Sequence, residues 1–243
     1  MYGALSVLAL AGLASCASSS KTAATSSSTS TPSSSGNSIA NVPTGDEKLS
    51  KEELEELFYA RKESELKNFS QADVDFVVGM IGHHAQALVM SELAPENGAS
   101  TSVQILASRI INAQKDEIAT MQQWLADRDQ PVPQIHIEGL ILTIHGGDHN
   151  HMQHMDHTNM PGMLSQVQLN ELGEAKGAEF DRLYLTYMID HHSGAVVMVE
   201  DLFSKDGAGQ GDAIFKLASD IQVDQRTEIA RMQRMLDRMA TKL

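Results

Sequence analysis

The sequence predicts an all-α protein in which two repeated helical hairpins associate as a four-helix bundle. Three observations lead to this prediction: an internal repeat, apolar residues that recur every three or four positions, and the absence of the alternating pattern of strands. Each hairpin carries an apolar stripe, and two such stripes can bury each other. The roughly 200 residues that follow residue 42 suffice for one domain with a core.

The repeat consists of two eleven-residue segments and of a second pair that follows them. The segment MIGHHAQALVM at 80–90 recurs as MIDHHSGAVVM at 188–198, an offset of 108 residues. Asp73 and Glu92 recur at the same offset as Asp181 and Glu200. The segments QKDEIATM at 114–121 and QRTEIARM at 225–232 are offset by 111 residues. Each unit is therefore a helix, a turn and a returning helix.

Capping and breaking residues set the expected helix ends of the repeats. Ser70 and Asp73 form a capping box at the start of the first helix, and Pro95, Asn97 and Gly98 end it. Residues 206–209 form the corresponding break in the second unit. The returning helices are expected at about 101–127 and 211–239. We place repeat 1 at about 70–130 and repeat 2 at about 165–243, with the connecting segment at about 131–164.

Two further segments flank or interrupt the repeats. Ser50 and Glu53 cap an extra N-terminal amphipathic helix that runs to about residue 67, with Leu54, Leu57 and Phe58 on its apolar face. The stretch 135–144, IHIEGLILTI, has β character. It is expected to form a short strand or an apolar strap across the bundle.

The N-terminus resembles a bacterial lipoprotein signal. An apolar run at 4–14 ends in Leu13-Ala14-Ser15-Cys16, in which small residues precede the cysteine that would carry lipid. We expect residues 1–15 to be a signal peptide, 16–42 a Ser/Thr-rich disordered tether, and 43–243 the helical domain. An ordinary signal peptide or a short buried helix is the alternative. Cys16 is the only cysteine, which excludes disulfides within the chain.

Residues 73–236 resemble the bacterial family called domain of unknown function 305. The resemblance rests on the two Met-Ile-x-His-His segments and on Met160-Pro161-Gly162-Met163, which leads into Gly177-Ala178-Glu179-Phe180-Asp181. It implies a ferritin-like four-helix bundle and export of the protein. In some members of the family it also implies a part in copper binding or tolerance.

Histidine and methionine share one face of the first helix in each unit, because residues three, four and seven apart lie close in angle. Imidazole accepts either copper state and thioether sulfur favours Cu(I). We expect these eight side chains to be metal ligands: Met80, His83, His84, Met90, Met188, His191, His192 and Met198. The alternative is that methionine fills the core and that the histidines merely bond Glu117 and Glu228.

The returning helices offer side chains that could orient the imidazoles, namely Gln114, Glu117, Met121, Gln225, Glu228 and Met232. A ferritin-like di-iron enzyme would require Glu-x-x-His on two helices. Met80 stands where that glutamate would precede His83, so the di-iron pattern is absent.

The connecting segment is the most unusual stretch of the sequence. Nine potential ligands occur within nineteen residues, and the glycines, asparagines and proline among them argue against regular structure. The mixture of imidazole with thioether favours copper over zinc or nickel. A solvated loop that binds metal only adventitiously is the alternative. The candidates are His145, His149, His151, Met152, His154, Met155, His157, Met160 and Met163.

These patterns predict an exported, lipid-anchored protein that binds copper, with Cu(I) favoured over Cu(II), for sequestration, tolerance or transfer. The net charge of −14 argues against nucleic acid as a partner. A ferritin-like metal-dependent redox enzyme and a structural or adaptor lipoprotein without metal are the two alternatives. No catalytic constellation is found in the sequence. The sequence leaves open whether the protein forms homo-oligomers or passes copper to a partner protein.

Overall fold

The structure is a computed structural model that describes residues 49–145 and 159–241. Its helices and strands, in chain order, are α1 (Lys51–Lys67), α2 (Gln71–Glu92), α3 (Thr101–Ala126), β1 (Gln134–Glu138), β2 (Ile141–His145), α4 (Gln166–Glu174), α5 (Gly177–Ser204) and α6 (Asp212–Ala240). The predicted all-α class, the two repeated hairpins and the extra N-terminal helix are confirmed. The short helix α4, which begins with a capping box at Ser165, was not predicted.

The helices begin where the sequence places polar caps. The Ser70 backbone N–H donates to Asp73 Oδ2 over 2.7 Å, and the Asp73 backbone N–H donates back to Ser70 Oγ over 3.3 Å. Ser50 and Glu53 make the same reciprocal pair at the start of α1. Both capping boxes are therefore confirmed, and each satisfies backbone donors that the first turn leaves free.

Two hairpins form the bundle. Helix α2 packs against α3, α5 packs against α6, and the hairpins meet mainly through α2 and α5. Helices α3 and α6 are separated by an open groove. The two units of the repeat are thus placed as a pair related by approximate two-fold symmetry, with α2 and α5 at the centre.

A buried aspartate at the start of each hairpin binds the turn of the other hairpin. Asp73 Oδ1 accepts from the backbone N–H of Gly209 over 2.7 Å, and Asp181 Oδ1 accepts from the backbone N–H of Ser100 over 3.0 Å. Both carboxylates are almost fully buried. These reciprocal bonds fix the ends of the two hairpins against each other.

The apolar core divides into two clusters at opposite ends of the bundle. The first is built mainly from residues 74–81 of α2, 118–125 of α3, 195–202 of α5 and 214–221 of α6. The second is built mainly from residues 87–90, 103–110, 180–188 and 232–235 of the same helices. Between the two clusters, each of the four helices contributes buried polar or charged side chains, such as His83, Gln114, His191 and Gln225.

The segment 135–144, which was predicted to form a short strand or an apolar strap, forms strands that also pack across the bundle. Strands β1 and β2 form an antiparallel hairpin in which Gln134 lies opposite His145, and Gly139 adopts a positive φ of 57° at the turn. Ile137 packs against both apolar clusters. The hairpin therefore lies along the bundle and bridges its two core regions.

Helix α1 forms where predicted, but its apolar face is not covered. Leu54, Leu57 and Phe58 are 54%, 56% and 64% exposed, and no residue of α1 is buried. The four bundle helices already close the core, so α1 adds only peripheral contacts such as the one between Glu65 and Arg128. Across the described ranges, every helix is too short or too polar to span a bilayer.

The reciprocal aspartate bonds make a stability prediction. Replacement of Asp73 or Asp181 by Ala is expected to lower the free energy of unfolding by about 1–3 kcal/mol, because a backbone donor in the opposing turn loses its acceptor. Asp116→Ala on the exposed face of α3 is the matched control and should change stability by less than about 0.5 kcal/mol. Urea unfolding followed by circular dichroism measures both. Equal effects in all three variants would contradict the proposed role of the two carboxylates.

Candidate metal centre

A layer of polar side chains crosses the middle of the bundle between the two apolar clusters. The four histidines in it have no exposed surface. Helices α2 and α5 supply the histidines, and α3 and α6 supply amide and carboxylate groups from the outer side. Its members are His83, His84, Gln114, Glu117, His191, His192, Gln225 and Glu228.

The outer histidines form two equivalent pairs with carboxylates. His84 Nε2 donates to Glu117 Oε2 and His192 Nε2 donates to Glu228 Oε2, each over 2.6 Å. Because an ionised carboxylate only accepts, these contacts place a hydrogen on Nε2 of each ring. The repeat thus produces the same His–Glu contact twice, a contact expected both of oriented metal ligands and of the core-packing alternative.

The inner histidines meet at the centre. The rings of His83 and His191 have their centroids 3.9 Å apart, with planes inclined by 38°. His83 Nε2 donates to the carbonyl oxygen of Pro161 over 3.0 Å. The repeat is not symmetric here, because neither ring nitrogen of His191 has a hydrogen-bond partner such as Pro161 among the residues that the structure describes.

Burial keeps the inner pair neutral. Desolvation, together with a smaller effect of nearby His84, lowers the pKa of His83 to about 3 against the opposing effect of the hydrogen bond to Pro161. The pKa of His191 lies well below its ordinary value, again chiefly because of burial and then because of His83. Neutral imidazole is the form that binds metal ions.

Several imidazole nitrogens are left without a partner. The Nδ1 atoms of His83, His84, His191 and His192 are all buried and make no hydrogen bond within the described chain. A buried polar atom with no partner is destabilising unless something else binds it. Where Nε2 carries the hydrogen, Nδ1 of a neutral ring presents a lone pair. These atoms therefore suit a metal ion that accepts nitrogen ligands.

The segment 159–165 closes one side of the polar layer. Gln86 holds it by accepting from the Leu164 backbone N–H over 2.7 Å and donating to the Leu164 carbonyl oxygen over 2.9 Å. Opposite, a Cβ atom on Gly194 would overlap the Pro161 carbonyl oxygen. Gln86 and Gly194 occupy equivalent positions in the two repeats. Sequence reasoning missed both, although this difference inside an otherwise similar segment was the available signal.

Met160 of this segment and Met198 of α5 both lie beside Gly79. The position of a Cβ on Gly79 would lie 3.3 Å from Met160 Sδ and 3.4 Å from Met198 Cε, so both side chains approach the same point. Both line a cleft of about 530 Å³, together with Pro161. The structure thus brings together one thioether predicted from the connecting segment and one predicted from the bundle.

The remaining candidates are placed more widely. Met80, Met90, Met121, Met188 and Met232 are fully buried and are divided between the two apolar clusters. Met163 is half-buried, and His145 is exposed at the end of β2. The following candidates lie outside the described residues: Cys16, His149, His151, Met152, His154, Met155 and His157.

No three histidine, aspartate or glutamate side chains of the described ranges converge closely enough to hold a metal ion by themselves. The four bundle histidines therefore do not form a closed imidazole cage. A metal site in this region would need thioether, backbone or water ligands beside the imidazoles.

Comparison with known proteins gives a consistent set of relatives. A family model described as "Domain of unknown function (DUF305)" matches residues 73–236. A DUF305 fragment from Deinococcus radiodurans is 28% identical, with a TM-score of 0.56 over 70% of this chain and 98% of that one. A DUF305 protein from Streptomyces coelicolor, described as secreted, is 25% identical, with a TM-score of 0.54 over 69% and 93%.

A third solved structure was determined with metal. It is CopM in the Cu(II)-bound form, which is 27% identical, with a TM-score of 0.51 over 69% of this chain and 97% of that one. A search of curated proteins finds no match.

The buried neutral histidines predict a pH dependence of stability in the metal-free protein. His83 and His191 each have a folded-state pKa below the ordinary 6.5, so below that pH the unfolded chain binds protons that the native chain does not. Their contribution is therefore complete above pH 6.5 and is lost as pH falls below it. On going from pH 7.5 to pH 5.5, each of these two histidines should lower the free energy of unfolding by about 1.4 kcal/mol.

The variant His191→Leu tests this expectation by urea unfolding at the two pH values. It should reduce the loss of stability between pH 7.5 and 5.5 by about 1.4 kcal/mol relative to the unsubstituted chain. The control, His136→Leu, removes an exposed histidine of β1 and should leave the loss unchanged. An unchanged loss in His191→Leu would show that His191 titrates normally in the native state.

Proposed function

Because this chain belongs to the DUF305 family, we propose that it is an exported protein that binds copper through thioether and imidazole groups. Its role would be to sequester copper, to confer tolerance or to transfer the ion. The observation that carries this proposal is that Met160 and Met198 both approach Gly79 and line one cleft with Pro161, whose carbonyl oxygen accepts the hydrogen bond of His83.

The chemistry of these groups favours a soft ion. Two thioether sulfurs add little to a site for zinc or a hard cation, whereas they stabilise Cu(I). The unpartnered Nδ1 atoms of His83 and His191 would supply nitrogen ligands, since burial keeps both rings neutral. Imidazole also accepts Cu(II), so the proposal favours Cu(I) without excluding the oxidised ion.

The connecting segment would supply the ion to this site. Its predicted ligands, at 145–157, directly precede Met160 in the sequence. The glycines, asparagines and proline in its sequence argue against regular structure, so ordering the segment around an ion would cost about 1–2 kcal/mol of conformational entropy per ordered residue. It should therefore release ions more readily than a packed site. We propose that it captures copper and passes it to the thioether pair.

The comparison with CopM supports metal binding as the activity. That protein was crystallised with Cu(II), and the matching region covers 97% of its chain. We propose binding in preference to catalysis, because no pair of groups in the sequence would serve as acid and base or as nucleophile.

Replacement of both Met160 and Met198 by Leu tests the proposed thioether pair. Leucine is similar in volume and removes only the sulfur, so the fold should be retained. We expect the affinity for Cu(I) to fall at least about tenfold. Anaerobic competition with a chromogenic Cu(I) chelator measures the affinity in a chain that starts at residue 43.

The control variant, Met235→Leu with Met239→Leu, changes two methionines of α6 that are not candidate ligands. It should bind Cu(I) like the unsubstituted chain. A separate variant with His149, His151, His154 and His157 replaced by Ala should bind fewer Cu(I) ions per chain while retaining the high-affinity site. Unchanged affinity in the Met160/Met198 variant would contradict the proposed site, and absence of binding in all chains would contradict the copper function.

Export with a lipid anchor is the second part of the proposal. The apolar run that ends at Leu13-Ala14-Ser15-Cys16 supports it, and the secreted relative from Streptomyces coelicolor supports export alone. Cys16→Ser is expected to move the protein from the membrane fraction to the soluble fraction of the cell envelope, because the thiol that would receive the lipid is lost. Cell fractionation with immunoblotting tests this, with Ser18→Ala as control. An unchanged membrane fraction would argue against the anchor.

A further inference from the structure

The groove between α3 and α6 lies on the side of the polar layer opposite Pro161. It has a volume of about 290 Å³ and opens to solvent. Three carboxylates line it: Glu117 from α3, and Asp224 and Glu228 from α6. The negative charge of these groups is concentrated where the two hairpins are not in direct contact.

None of the three carboxylates forms a contact ion pair with a lysine or arginine of the described chain. Glu117 and Glu228 each use one oxygen to accept from a histidine, which leaves Oε1 free of that contact. Arg109 and Arg231 also line the groove, but no lysine or arginine of the described ranges lies within 4.0 Å of these three carboxylates. Partial desolvation raises the pKa of Asp224, and the carboxylates of Glu117, Glu228 and Asp220 raise it further.

Two buried amides face the same groove without partners. Gln114 and Gln225 are each only 2% exposed, and both line the groove. Neither amide atom of Gln114 has a hydrogen-bond partner in the described chain, and Oε1 of Gln225 also has none. A buried amide oxygen without a donor is costly, so these two groups point independently to a bound species that accepts oxygen ligands.

We propose that this groove is a second metal site, for a hydrated divalent cation of the Mg²⁺ or Mn²⁺ type. Such hard cations prefer carboxylate, amide oxygen and water, and they commonly keep several waters while binding one or two carboxylates. An octahedral ion that binds one or two carboxylates keeps four or five waters, and at about 30 Å³ each these occupy roughly 120–150 Å³, which the groove can accommodate. The retained waters also explain how an ion binds where no three side chains form a closed cage.

The site is chemically distinct from the thioether pair and does not depend on the copper function. Met160 and Met198 line the other cleft, and no sulfur lines the groove. The Nε2 atoms of His84 and His192 already donate to the carboxylates, so imidazole does not face the ion through these atoms. The two faces of one polar layer thus differ in the metals that they prefer.

The repeat offers a sharp way to test the site. Glu117 corresponds to Glu228 and Gln114 to Gln225, whereas Asp224 corresponds to Ala113, which is exposed and also lines the groove. An ion bound near the approximate two-fold axis should accept a carboxylate from either helix. Asp224 can therefore be removed on α6 and replaced on α3.

Binding of Mn²⁺ to the full-length chain is measured by loss of the free-ion electron paramagnetic resonance signal, without copper. Asp224→Ala is expected to weaken Mn²⁺ binding at least about tenfold, because one carboxylate ligand is lost. The control, Asp201→Ala, removes a carboxylate from the other cleft and should leave the affinity unchanged. Added Mg²⁺ should displace Mn²⁺ from the unsubstituted protein.

The double variant Ala113→Asp with Asp224→Ala is expected to recover most of the lost affinity. Gln114→Leu with Gln225→Leu should weaken binding while keeping the helical circular dichroism signal. The proposal is overturned if Mn²⁺ does not bind saturably, if Asp201→Ala weakens binding as much as Asp224→Ala does, or if the double variant remains weak. Since copper is absent, failure here is distinguishable from failure of the copper function.

Discussion

Four imidazole rings lie in the middle of the bundle with no exposed surface, and the surrounding elements are arranged around them. A buried polar atom without a hydrogen-bond partner costs free energy, so the fold must supply partners to the polar atoms of this layer where it can. Glu117 and Glu228 serve the outer rings, and the carbonyl oxygen of Pro161 serves His83. The apolar core is split into two clusters because this layer passes between them.

The approximate symmetry of the repeat accounts for the arrangement of the helices, and the positions at which the two repeats differ account for the candidate site. Equivalent residues form the His–Glu pairs and the reciprocal bonds of Asp73 and Asp181. By contrast, Gln86 and Gly194 are equivalent positions that hold one segment in different ways, one by hydrogen bonds and one by making room. A single segment can cover only one side of a symmetric layer, so the two repeats had to differ there. The other side stays open as the groove between α3 and α6.

This asymmetry separates two kinds of metal chemistry. The side closed by residues 159–165 presents thioether sulfur, and the open side presents carboxylate and amide oxygen. The type of ligand in a site discriminates between soft and hard cations more reliably than the affinity of the site alone does. The two proposed sites would therefore favour different ions on the two sides of one polar layer.

The sequence alone determined the fold class, the two-hairpin repeat and the helix starts at Ser50 and Ser70, because periodicity and capping are local properties and the repeat copies them. Which candidates meet was decided only by tertiary structure. Met160 and Met198 line one cleft because Gly194 lets the chain at Pro161 pass close to α5, and helical periodicity does not predict where a loop packs. The apolar face of α1 looks like a core face in sequence but stays exposed, since four helices already close the core. The groove became visible only once two helices from different hairpins lay side by side.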